Sequence, residues 1–146
     1  MKFRLAFAIP ATLLAIALSP IRTPAQTGCF YKPIGLPSNG EISGDLSASD
    51  IPTGQGGFSK DYTIDLKDGD NITIDLTSEN FDTIVSLMTP DGLTVAENDD
   101  GPDGSTNSLL FHRITSGGTY IVRVRAFGEP GLGSFALKLT RLRPVQ

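Results

Sequence analysis

Residues 96–108, AENDDGPDGSTNS, set Asp99, Asp100 and Asp103 close together between two apolar runs. Calcium takes about six to eight hard oxygens, several of them charged. Asn98, Asn107 and backbone carbonyls could supply neutral ones. An EF-hand is excluded by spacing. With Asp99 at the first position, Gly101 falls at the third and Leu110 at the twelfth, where that loop needs a glutamate. A cation site here would be irregular and completed from elsewhere, with Asp82 or Glu97 as the donor. The candidate set is therefore Asp82, Glu97, Asn98, Asp99, Asp100 and Asp103. A second reading stands beside it. Asp and Asn fix turns with their own side chains, and acids in exposed loops are commonly just solvated.

Other chemistries find less support. His112 is the one histidine and lies in an alternating strand beside Arg113. No serine sits in a G-x-S-x-G elbow. Cys29, the one cysteine, is far from His112 in sequence. One His and one Cys cannot fill a tetrahedral zinc shell without several carboxylates. GEPGLGS has glycines but no following lysine or helix, so it is no phosphate loop. No carboxylate pair has an apolar setting that would raise one pKa for glycosidase chemistry. Asn71-Ile72-Thr73 matches a glycosylation sequon, but within a strand. The expectation is a protein that is not an enzyme.

The elements that would position these residues are strands. KDYTIDL alternates, with Tyr62, Ile64 and Leu66 on one face and Asp61, Thr63 and Asp65 on the other. NITIDLT repeats the scheme with Ile72, Ile74 and Leu76. The two runs around Asp68-Gly69 read as a hairpin. In FDTIVSLM, Val85 and Leu87 oppose Ile84 and Met88, so both faces should be covered. TYIVRVRAF turns Tyr120, Val122 and Val124 inward and Arg123 and Arg125 outward. SFALKLTRL turns Phe135, Leu137 and Leu139 inward. Exposed aromatics for a glycan or protein contact reduce to Phe127 and Phe58. About eight short strands with half-polar faces predict an all-β, antiparallel, jelly-roll-like sandwich.

The start of the chain predicts export. Lys2 and Arg4 precede an apolar run, Leu5 to Leu18, and Thr23 and Ala25 suit a signal peptidase. Residues 1–25 read as a signal peptide and 26–40 as a flexible, Pro- and Gly-rich leader. The domain proper is 41–142, with a tail at 143–146. Cys29 allows the alternative of a lipid anchor, or stays free, or pairs between chains; alone it makes no internal disulfide. Losing Lys2, Arg4 and Arg22 from 12 basic residues, and keeping all 16 acids, moves the net charge from −4 to −7. Nucleic acid is thereby disfavoured. A secreted or periplasmic monomer without a transmembrane segment is expected.

Five segments recur in one order: GEISGDLSASD, YTIDLKDGDNITIDL, FDTIVSLMTPDGLTVAENDD, GGTYIVRV and GSFALKL. Together they resemble the bacterial pre-peptidase C-terminal domain. Ile84 stands where that family usually has an aromatic, and Phe135 where it has a tyrosine. The resemblance implies a β-sandwich appended to secreted enzymes, serving secretion, adhesion or stability, with calcium or collagen bound in some relatives. The functional expectation is an exported, non-catalytic binding or accessory module, calcium-stabilised if the acidic loop holds an ion. Its partner would be an extracellular or cell-wall protein or glycan. The alternative is a purely structural or secretion-assisting domain without a ligand, and a small secreted hydrolase ranks third.

Overall fold

A computed structural model describes residues 31–128 and 131–143. The signal segment, Cys29, the start of the leader and the last three residues lie outside that range. The described residues form ten strands and no helix. They are β1 (Ile34–Gly35), β2 (Glu41–Leu46), β3 (Ile51–Pro52), β4 (Phe58–Leu66), β5 (Asn71–Thr77), β6 (Thr83–Met88), β7 (Thr94–Asn98), β8 (Ser108–Arg113), β9 (Gly118–Ala126) and β10 (Gly133–Leu142).

The strands divide into two sheets. One runs β1-β4-β9-β6-β7, with β3 also paired to β4; the other runs β2-β10-β5-β8. Every pairing is antiparallel except the short parallel bridge of β1 with β4. The antiparallel sandwich expected from the alternation is present.

Alternation explains the core. Side chains two apart on a strand share a face, and each sheet turns one such row toward the other. Tyr62 and Leu66 on β4, Ile72, Ile74 and Leu76 on β5, and Val122 and Val124 on β9 are buried there. Phe135, Leu137 and Leu139 on β10 complete the layer. Strand β6 is buried along its whole length, as its two-sided pattern predicts. Val85 and Leu87 join the core, whereas Ile84 and Met88 do not. Met88 is the cross-strand partner of Ile121 on the opposite face of that sheet.

Two expectations change. First, β4 and β5 do not form a hairpin: they lie in different sheets. Residues 67–70 carry the chain from one sheet to the other. Both strands turn large apolar rows toward a common interior, and an arch lets those rows face each other across the core. The arch is tied by Asp70, which accepts from the Lys67 N–H at 2.9 Å. It is also anchored to the β8–β9 connection. Gly69 N–H donates to Ile114 O and Ile114 N–H to Asp70 O, both at 2.8 Å.

Second, the sheet begins before residue 41. Ile34 and Gly35 pair with Tyr62 and Thr63, and Leu36 is buried in the core. The next turn closes through Gly40, whose N–H donates to Pro37 O and whose carbonyl accepts from Leu139 N–H. Gly40 has φ +77°, and a Cβ there would lie 2.2 Å from Leu139 O. Only glycine fits such a position. Gly133 has the same role at the start of β10, where a Cβ would meet Asn80 at 2.4 Å.

Candidate functional site

The acidic segment lies at one pole of the sandwich, among the connections β5–β6, β7–β8 and β9–β10. These are bonded to one another. Thr83 N–H donates to Thr106 O at 2.9 Å and Phe127 N–H to Asp82 O at 2.8 Å. Ser78 N–H donates to Asn107 Oδ1 at 3.0 Å. Asn80 Oδ1 accepts from Ser134 N–H and Oγ.

Within the pole, the candidate residues take separate duties. Asn98 uses Nδ2 to donate to Leu109 O at 2.7 Å and Asp100 O at 2.9 Å. Its Oδ1 accepts from Asp99 N–H at 3.1 Å. With Leu109 N–H donating to Asp100 O, these bonds close the neck of the loop. Asp103 accepts from both Ser105 N–H and Ser105 Oγ. The serine hydroxyl is the main reason its carboxyl titrates below the usual range.

Glu97 precedes Asn98 on the same strand, so the two side chains point to opposite faces. Glu97 lies on the outer face of the six-stranded sheet, accepting from Ser86 Oγ at 2.6 Å and Arg125 Nη2 at 3.1 Å. The Ser86 bond, with help from Arg125, depresses its pKa. The structure thus brings Asn98, Asp99 and Asp100 together at the neck and sends Glu97 elsewhere. Among the described residues no three His, Cys, Asp or Glu side chains converge on a position that would hold a metal ion.

His112 stands opposite Ile72 on β5. The buried serines are occupied in structural bonds. Ser59 donates to Ile51 O, Ser86 to Glu97, and Ser108 to Thr83 O. Phe127 is exposed as expected, while Phe58 packs against the core. Phe111 is 60% exposed on the outer face of the four-stranded sheet. On the same face a shallow depression of about 550 Å³ is lined by Glu41, Ser43, Asp75, Thr77, Ala136 and Lys138. Lys138 pairs with Glu41 there at 2.9 Å.

A second polar group escaped the sequence reading. Registers place Asp61, Arg123, Ser86 and Glu97 in one row across β4, β9, β6 and β7. Arg123 binds Asp61 bidentately, Nε to Oδ1 at 2.8 Å and Nη2 to Oδ2 at 2.7 Å. Tyr31 donates its hydroxyl to Asp61 at 2.6 Å. Burial, reinforced by the Asp61 carboxylate, pushes the Tyr31 phenol up to about 12. The Arg123 guanidinium is raised by its bond to Asp61. Opposite charges on outward positions of two strands were visible in the sequence. Their pairing required the register.

Comparison with known proteins follows this geometry. The family model described as "Bacterial pre-peptidase C-terminal domain" matches residues 58–126, from β4 through β9. No curated protein matches the sequence. Among solved structures, the pre-peptidase C-terminal domain of a Bacillus anthracis collagenase aligns at 20% identity and a TM-score of 0.55. That alignment covers 73% of this chain and 91% of the domain. A periplasmic inhibitor of g-type lysozyme from Salmonella Typhimurium aligns at 11% identity and a TM-score of 0.50, over 77% of this chain and all of that one. Both are likenesses of fold.

Proposed function

We propose, for a chain that carries a bacterial pre-peptidase C-terminal domain over residues 58–126, that it is an exported, non-catalytic β-sandwich accessory module. One observation carries this reading. The polar side chains gathered on the outer face of the six-stranded sheet are bonded to one another, as in the row Asp61–Arg123 and Ser86–Glu97. Fold by itself assigns no activity, so the site must decide, and these groups hold strands together. No helix among the described residues is long and apolar enough to cross a membrane.

Export follows from the basic and apolar start of the chain. Expression in a bacterial host should yield a periplasmic product whose N-terminus is Gln26. A product retaining residues 1–25 in the cytoplasm would overturn export. The purified product should leave casein and peptidoglycan unhydrolysed. Turnover that disappears in His112→Ala would defeat the non-catalytic reading. Binding is tested on immobilised g-type lysozyme, a peptidase and insoluble cell wall. Retention by one of these separates a binding module from a purely structural one.

The loop bonds support Asp103 and Asn98 as side chains that fix the loop, while Asp99 and Asp100 enter those bonds through backbone atoms. Equal melting temperatures are expected in calcium and in chelator. A site filled at a hundred times its Kd would add about 2.7 kcal/mol of stability. A calcium-dependent rise that is lost in Asp99→Ala with Asp100→Ala would establish an ion in the loop.

A further inference from the structure

The two outer faces of the sandwich differ. On the six-stranded sheet, Asp61 and Ser86 are each 2% exposed, and their row is closed by Arg123 and Glu97. On the four-stranded sheet, the outward side chains of β2, β10 and β5 stand open to solvent. Glu41, Ser43, Asp45, Thr77, Ala136 and Lys138 are exposed, and Asp75 is half-buried.

Register gives this face its shape. Ser43 lies beside Ala136, and Ala136 beside Thr77, so one row across three strands has only short side chains. The next row is Glu41, Lys138 and Asp75, and on the other side Asp45 lies beside Ser134. The short row forms the floor of a trough. It joins the depression of about 550 Å³ to a second of about 300 Å³ that reaches Ser78, Glu79 and Ser134.

Charge gives the trough its sign. Glu41, Asp45 and Asp75 stand on the face and Glu79 at its rim, with Lys138 among them. Lys60 donates to the carbonyl of Asp45 and pairs its charge with Asp50. Arg113 lies at the far end of the face, beside Asn71 on β5. The Lys138–Glu41 pair has both side chains more than half exposed. Surface pairs of this kind hold weakly, so an incoming cation can take Glu41 over.

Resting on the accessory-module reading, we propose that this trough docks an extended, lysine-rich segment of another protein. Complementary charge steers such a segment and fixes its register. The short row seats its backbone, and the carboxylates on either side receive its ammonium groups. Glu41 and Asp75 are two strands apart, about 10 Å, which is also the reach of three residues of extended chain.

The test titrates decalysine into the purified product by calorimetry. Decalysine should bind, and decaglutamate should not. Ala136→Gln fills the trough without changing the charge and should weaken binding several-fold. Asp75→Asn with Glu79→Gln should weaken it several-fold as well. Asp68→Asn with Asp91→Asn removes the same charge from two turns off the face and should leave binding unchanged. Circular dichroism checks that each variant is folded. No binding by the intact product would overturn the proposal. So would full binding by Ala136→Gln, or equal losses from the two charge-removing pairs. Export and the lack of turnover are measured separately, so failure of this surface leaves the accessory-module reading standing.

Discussion

Arg123→Ala is expected to destabilise the domain by about 3 kcal/mol, the lower part of the range for stranding a buried charge. The Asp61 side chain is fully buried, whereas Arg123 keeps 29% exposure. Removing the guanidinium takes away two hydrogen bonds and leaves a carboxylate with Tyr31 as its remaining donor. Asp61→Ala should cost less, because the freed arginine can turn its head toward water. The double variant should recover part of the Arg123→Ala loss, since it removes the stranded charge. Urea unfolding of the three variants measures this. A loss under about 1 kcal/mol for Arg123→Ala would place the pair with ordinary surface ion pairs.

The second large effect lies in the apolar layer. Leu87→Ala and Leu137→Ala should each cost about 2–5 kcal/mol, through lost burial and the cavity left behind. Leu87 is wholly buried on β6, opposite Val122 on β9 and Ala96 on β7. Leu137 is buried on β10, between Ile42 on β2 and Leu76 on β5. Leu93, 66% exposed in the turn before β7, is the control. Its change to alanine should stay within about 0.5 kcal/mol. Unchanged melting temperatures for Leu87→Ala and Leu137→Ala would refute the facing of both strands.

The facing of most strands could be read from the chain, because a half-buried strand writes its orientation as alternation. Ile72, Ile74 and Leu76 needed nothing more. Partners could not be read in the same way. An Asp-Gly turn between two alternating runs looks the same in a hairpin and in an arch. The choice depends on which distant strands flank each run, here β9 beside β4 and β10 beside β5. The Pro- and Gly-rich segment before residue 41 hid β1, since two bridged residues leave no period. The acidic loop was visible as a composition. The division of Glu97 from Asn98 followed only once both were placed on one strand.

The position of β10 has a consequence for how the chain reaches this state. The last strand in sequence fills the middle of the four-stranded sheet, between β2 and β5. Residues 133–138 pair with 41–46, so one pairing spans most of the domain. Until β10 is available, β2 has no strand neighbour, and β5 lacks one of its two. Pairings of such separation are slow to form because a long loop must close first. The four-stranded sheet therefore stays incomplete until β10 is available, although the six-stranded sheet does not need it.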